Sequence, residues 1–362
     1  MTVSYNATVS FSSNLRVIAF ILAVMVRASD AALIECQSNA THIAWRVDGM
    51  ASEDGAATLP RTLMSPTHDA VVDSSSDDHS SCWIQSYQAA RLDAYTFLRQ
   101  HVLPFEEPFL ETLGFAAVDH TTPRPDGLDV GLVQETIDYA LQAKQRWEHA
   151  DSLPRSLWLQ YVLPYASVNE ARTSWRPILW NRLEALVSSL QPATVRTIVA
   201  ALNEHLWTIL GPDGRTITFV SGQTPRLFDP MSVLVYGYAS CTGISLLFVN
   251  ALRTVGIPAR LVGTPAWHAG AEGNHNWVEV WDVTSNAWIF LEGSPNQTQV
   301  QTMDDGPCER WFCAASYWKN GTRAFAVSLE GPTFFPMAWE RSNEDVPGVE
   351  VTERYRAVCS QC

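Results

Sequence analysis

Charge is what this sequence has least of: Asp, Glu, Lys and Arg make up 17% of its 362 residues, below the roughly one-quarter usual in soluble domains. Positive charge is scarcer still, with 24 Lys and Arg against 38 Asp and Glu and a formal net charge of -14. Such a surface repels phosphate backbones and offers no basic footprint, which excludes nucleic acid and anionic bilayers as partners. Also missing is an apolar run of the ~20 residues that a membrane-spanning helix needs; the stretch Val17–Val26 is half that length. No period of about 20 to 50 residues marks a solenoid. No acidic loop of the EF-hand kind asks for calcium, and no cofactor is implied. What is abundant is apolar material, 46% of residues with 14 Trp, enough to bury a sizeable core.

Arg16 precedes the Val17–Val26 run, and Arg27 with the stretch Ala28, Ser29, Asp30 and Ala31 follows it. That order is the order of a signal peptide over residues 1–31, cleaved near Ala31. It predicts a protein that is secreted or held in the secretory-pathway lumen, with no stable membrane insertion. Translocation would make Asn39, Asn296 and Asn320, each two residues before a threonine, candidate glycosylation acceptors. The seven cysteines are few and odd in number. In an oxidising compartment Cys36, Cys82, Cys308, Cys313, Cys359 and Cys362 are disulfide candidates, in a pairing that spacing does not decide, and Cys241 is left free. A competing reading takes Cys308-x4-Cys313 and Cys359-x2-Cys362 as a four-thiolate zinc site. The leader favours oxidation, and no metal is assigned.

Behind the leader, residues 32–82 hold a possible short strand and then a polar, acidic stretch around Asp73-Ser-Ser-Ser-Asp-Asp78, which reads as a linker or surface loop. Residues 83–210 form a helical unit. Val133, Ile137, Ala140, Leu141 and Trp147 share one face, and Val195, Ile198, Val199, Leu202, Leu206 and Ile209 share another. From 211 the texture becomes β-branched and aromatic, and extended segments are expected at Thr216–Val220 and Met231–Tyr238. Helical spacing returns over Thr242–Val255 and stops at Gly256-Ile257-Pro258, where glycine supplies a left-handed cap and proline bars continuation. Ala259–Pro265 is the next strand, and Trp277–Asp282 pairs with Trp288–Leu291 as a hairpin across Thr284-Ser-Asn286. Residues 298–362 form a Cys-containing, β-rich extension, with strand texture at Ala324–Leu329 and Val346–Tyr355.

Cys241 opens the helix, just after the small residues Gly237, Ala239 and Ser240. A thiol there meets the positive end of the helix dipole and unpaired backbone N–H groups, which favour the thiolate and can hold the oxyanion of a tetrahedral intermediate. Alone, a cysteine in this place is more often a small buried hydrophobe. Its neighbours change the balance.

The run Tyr238-Ala-Ser-Cys-Thr-Gly-Ile-Ser-Leu-Leu-Phe-Val-Asn-Ala-Leu-Arg-Thr-Val-Gly-Ile-Pro-Ala-Arg-Leu-Val-Gly263 resembles the core of the transglutaminase-like superfamily. The resemblance continues through Gly273-Asn-His-Asn-Trp-Val-Glu-Val-Trp-Asp282 and Trp288-Ile-Phe-Leu-Glu292. It implies an α+β fold: a papain-like core over 211–297, in which the helix bearing the cysteine packs on an antiparallel sheet, preceded by the helical unit. It also implies Cys241 as nucleophile, His275 as general base and acid, and Glu292 where the family usually has aspartate. Tyr238, Thr242 and Trp277 are the oxyanion or pocket candidates, with Tyr236 beside them, and a protein or peptide is the expected substrate. Thr242 stands where animal transglutaminases carry tryptophan.

Other carboxylates fit worse. At about 3.3 Å per residue along a strand, Asp282 lies roughly 23 Å from His275 and on the opposite face, and Glu279 roughly 13 Å away. A hairpin instead returns Glu292 to the histidine, where it can accept a hydrogen bond from one ring nitrogen and turn the other to sulfur. His268 is the rival base and reads as an exposed loop histidine. Upstream, Leu163–Arg172 with Trp175-Arg176 is similar to a segment that precedes the core in some microbial-type relatives. Glu170 and Arg176 are then either groove residues or surface charges of a Pro-started helix.

The implied reaction is acyl transfer through a thioester, ending in crosslinking, deamidation or peptide hydrolysis. The alternative is a non-catalytic secreted binding or structural protein that keeps the fold, with Cys241 inert or disulfide-bonded. A metal binder built on the C-terminal cysteines is a third reading.

Overall fold

The computed structural model describes residues 77–115, 131–268, 273–295, 301–304, 318 and 321–358. The leader, Asn39, Asn296, Asn320, Cys36, Cys308, Cys313, Cys359 and Cys362 lie outside them, as does the side chain of Cys82. The chain divides into Met1–Ala90 and Arg91–Cys362. Of the first unit, the described residues are the opening turns of helix α1 (Asp77–Gln100), which begins inside the stretch read as a linker. Among the described residues no helix is long and apolar enough to cross a membrane.

In the second unit, α2 (Leu132–Arg146), α3 (Arg155–Tyr161), α4 (Arg176–Ser189) and α5 (Val195–Ile209) precede the core. The apolar stripes expected of α2 and α5 are buried, Ile209 only in part. Thr194 caps α5, its hydroxyl accepting the Thr197 N–H. Helix α6 (Pro230–Tyr236) overturns an expectation, since Met231–Tyr238 had strand texture. Asp229 accepts the Ser232 N–H at 3.0 Å and Pro230 fits the first helical turn, so capping prevails over β-branched composition. What remains extended is β2 (Tyr238–Ala239), paired in parallel with β1 (Thr218–Phe219).

Helix α7 (Cys241–Thr254) is buried on every side from Thr242 to Thr254, as a helix at the centre of a domain must be. It ends in a Schellman motif: the Ile257 N–H reaches the Leu252 carbonyl at 2.9 Å, and the Gly256 N–H reaches that of Arg253 at 3.1 Å. Gly256 has φ of 78°, and a Cβ there would meet Ala150 Cβ at 2.4 Å, so only glycine fits.

The sheet combines β3 (Ala259–Thr264), β4 (His275–Asp282) and β5 (Ala287–Leu291) with β6 (Phe325–Val327), β7 (Thr333–Phe334) and β8 (Pro347–Glu350). Its order is β5-β4-β3-β6-β8-β7, antiparallel throughout. Because β6 pairs directly with β3, residues beyond 297 complete the core sheet. Val278, Val280, Ile289 and Leu291 share one apolar cluster with α4, α5 and α7. Val262, Trp277 and Phe290 share another with Trp318 and Tyr355, the latter from α8 (Thr352–Val358). The strand expected over Val346–Tyr355 is thus split, β8 ending at Glu350 and α8 starting at Thr352.

Leu163–Trp175 is irregular, with no Pro-started helix, and Glu170 and Arg176 are buried, neither on the surface nor in a groove. Buried irregular backbone has no ladder partners for its polar groups, so side chains must supply them. Arg176 donates to the carbonyls of Val162, Leu163 and Arg253. Arg253 donates to those of Ala166 and Ala259, and Glu170 accepts the N–H groups of Ser167 and Val168.

Candidate active site

Cys241 is the first residue of α7, free and partly buried, and its side chain opens on a cavity of about 950 Å³. His275 begins β4 and is 7% exposed. Its Nε2 lies 2.7 Å from Glu292 Oε1, which leaves Nδ1 for the Cys241 thiol, the ring's other hydrogen-bond partner. Register explains the meeting. Val278 pairs with Leu291, so the next residue, Glu292, falls opposite Trp277 and diagonal to His275 on the same face.

Two buried asparagines brace this geometry. Asn203 of α5 donates to the carbonyls of Glu292 at 2.9 Å and Gln301 at 2.7 Å, and its Oδ1 accepts the Ser294 N–H at 3.0 Å. Asn276 follows His275; its Oδ1 accepts the Thr242 hydroxyl at 2.8 Å, its carbonyl accepts the Ser245 hydroxyl at 3.1 Å, and its N–H donates to the Cys241 sulfur. Gly263 on the neighbouring strand makes room, since a Cβ there would come within 2.1 Å of Asn276 Nδ2.

Burial pushes the Cys241 thiol up, but the hydrogen bond and charge of His275, the Asn276 N–H and the Thr242 hydroxyl together pull it below the usual thiol value. For His275, burial favours the neutral ring. The hydrogen bonds and charges of Cys241 and Glu292 prevail and lift it to about 9. Both shifts favour a thiolate–imidazolium pair near neutral pH. Alkylation of Cys241 by iodoacetamide is therefore expected to keep its rate to lower pH than an ordinary thiol, as mass-spectrometric mapping at a series of pH values would show. A rate that starts to fall tenfold per unit below about pH 8.5, as for an unperturbed cysteine, would contradict this.

Residues 199–293, which contain Cys241, His275, Glu292 and both asparagines, match the family model of the Transglutaminase-like superfamily. The chain carries a transglutaminase-like domain. Among solved structures, the chain is similar to one described as a candidate cysteine protease from Cytophaga hutchinsonii, at 14% identity and a TM-score of 0.25, covering 48% of this chain and 56% of that one. It is also similar to a structure described as a TGase, at 13% identity and a TM-score of 0.26, covering 62% and 52%. It spans about half the length of either. No curated protein matches it.

The cavity of the transglutaminase-like domain is not walled by Tyr238, Thr242 or Trp277. Tyr238 packs against the apolar cluster, with its ring 6.1 Å from that of Tyr236. Thr242 is turned to Asn276, and Trp277 lies behind His275 with ring centroids 5.9 Å apart, because residues i and i+2 of a strand share a face. The walls come instead from Phe219, Thr224, Ser240, Asn274, Gln301 and Trp339, to none of which the sequence assigned a pocket role. His268 is absent from the wall; its backbone N–H donates to Thr322 Oγ1. The rival carboxylates are engaged elsewhere, Glu279 with Arg260 at 2.7 Å and Asp282 with Arg196 at 2.9 Å.

Proposed function

We propose that the protein is a thiol acyl-transfer enzyme, which opens an amide of a protein or peptide through a thioester on Cys241. The observation that carries this reading is the unbroken thiol–imidazole–carboxylate chain at the head of α7, with open space on the sulfur side. The thiolate attacks the amide carbonyl, and first-turn N–H groups of α7 receive the charge that develops on oxygen. The C–N bond then breaks, the departing nitrogen takes the proton of the His275 imidazolium, and ammonia or an amine leaves. In the second half His275 removes a proton from water or an amine as that acceptor attacks the thioester carbon, and sulfur departs as thiolate.

The wall supports an uncharged acyl donor. Apart from Cys241, His275 and Glu292, none of the described residues that line it has an ionisable side chain, and they combine small hydroxyls and amides with Phe219, Ile244 and Trp339. A carboxamide flanked by apolar residues suits it, whereas a charged neighbour would lose solvation without a partner. The leader-like order of residues 16–31 supports action in the secretory pathway.

The test incubates the protein with glutamine-bearing and unmodified peptides, with and without a primary amine, and reads products by mass spectrometry against thiol-blocked protein. Amine incorporation means a transferase, conversion of amide to acid a deamidase, and backbone scission a protease. The proposal expects one of the three, abolished by blocking. No product from a broad peptide set, together with a thiol that resists alkylation at neutral pH, would leave a binding protein.

A further inference from the structure

We propose that Tyr355, in the C-terminal helix α8, is a positioning residue for the Cys241–His275 pair and acts through Trp277; the inference rests on the acyl-transfer reading above. Tyr355 lies outside the 199–293 match and 80 residues beyond His275 in sequence, yet a continuous set of contacts connects them.

Trp277 and His275 project from the same face of β4, their rings at an interplanar angle of 27°. Trp277 is fully buried, and its Nε1–H donates to the Tyr355 hydroxyl at 2.6 Å. The phenol donates in turn to Glu279 Oε1 at 2.7 Å. Burial first, and then the charge of Glu279, hold that phenol protonated, so the direction of both bonds is settled: indole to phenol, phenol to carboxylate. Glu279 is anchored by Arg260 of β3 at 2.7 Å and by Arg354 of α8 at 3.3 Å. The phenol ring stacks on Trp318 at 5.3 Å with an angle of 2°, and meets Trp277 edge-on.

The consequence for the site is mechanical and electrostatic. An imidazole on a strand can swing about its second side-chain torsion, whose energy well is broad. Glu292 holds one nitrogen, and an indole fixed behind the ring closes off the retreat on that side. The indole face also favours the charged ring, since cations are attracted to aromatic faces within about 6 Å. Removing the phenolic oxygen leaves the indole N–H buried without that acceptor, and rotating the indole to find another would tilt the surface on which His275 rests. The imidazole itself faces Cys241 of α7 and Glu292 at the end of β5, and the phenol faces Glu279 with Arg260 and Arg354. A substitution at Tyr355 that spares all five leaves the first-hand partners of His275 in place.

The test is the acid limb of Cys241 alkylation by iodoacetamide in wild type, Tyr355→Phe, Trp277→Phe and the double variant, with circular dichroism and thermal melting on each. A less firmly held imidazolium stabilises the thiolate less, so the limb is expected to move up by about half a pH unit in Tyr355→Phe, roughly threefold in rate at a fixed pH below it. Because the tyrosine acts through the indole, the double variant is expected to shift no further than Trp277→Phe alone. An unmoved limb in folded Tyr355→Phe, or additive shifts in the double variant, overturns the inference. Should Tyr355→Phe not fold, an unmoved limb in Trp277→Phe overturns it equally. A wild-type thiol that titrates as an ordinary cysteine removes the acyl-transfer reading and this inference with it. A displaced wild-type limb with unmoved variants sinks the inference alone.

Discussion

Cys241→Ala is expected to lower kcat/KM on any accepted amide by about 10⁴-fold or more, because the sulfur is the atom that forms the acyl bond and no neighbour can replace it. The binding wall and the first-turn N–H groups of α7 survive the change, so substrate should still associate, and KM should move far less than kcat. Global stability should barely register the loss. Cys241 is partly buried at a helix terminus, and alanine is the best of helix formers. Parallel measurement of steady-state kinetics and thermal unfolding separates the two effects. An alanine variant that keeps a tenth of wild-type turnover would place the chemistry elsewhere. The same comparison should abolish the mass increment of a substrate acyl group on the peptide containing residue 241, trapped by acid quench.

How far the site could be read from sequence depended on whether its members lie close along one element or are brought together by packing. The helix behind Cys241, the strand opened by His275 and the return strand before Glu292 each carry local signals: a Gly-Pro stop, apolar strand runs, a Thr-Ser-Asn turn. Strand register then converts those local facts into the 2.7 Å meeting of His275 and Glu292. The walls were illegible for the opposite reason. Trp339 reaches the cavity from the connection between β7 and β8, strands that join the sheet through β6 and its pairing with β3 some 60 residues away, and Gln301 is held there by Asn203; no local period announces either. Tyr238, Thr242 and Trp277 are close to Cys241 and His275 in sequence, but the two-residue strand period and the turn of the helix aim them away from the opening. Asn203 did leave a trace: it interrupts the apolar stripe of α5 one position after Leu202, where a buried amide needs partners. Arg176 leaves none, since a buried guanidinium that serves backbone carbonyls looks in sequence like any surface charge.

Glu292→Gln isolates the orienting carboxylate, and its expected effect is a loss of about 10²- to 10⁴-fold in kcat with little change in KM. Size and shape are kept, as are the backbone bonds through which Asn203 holds the segment, so what changes is charge and acceptor strength at a single point. The sign of the pH effect follows from the causes of the His275 shift. Burial lowers that pKa, and the hydrogen bonds and charges of Cys241 and Glu292 raise it to about 9. Removing the carboxylate charge deletes part of the raising side and leaves burial untouched, so the imidazolium must lose its proton at lower pH. The alkaline limb of turnover, where the proton donor to the leaving nitrogen is lost, should therefore move down. The acid limb of Cys241 alkylation should move up, because a weaker cation beside sulfur supports the thiolate less. The active window thus narrows from both sides. Glu292→Asp keeps the charge but shortens the arm by one methylene, and should recover the limbs in proportion to how closely the strand end lets the carboxylate approach Nε2. Limbs that stay in place in Glu292→Gln, with kcat within threefold of wild type, would mean that His275 is held and charged without this residue.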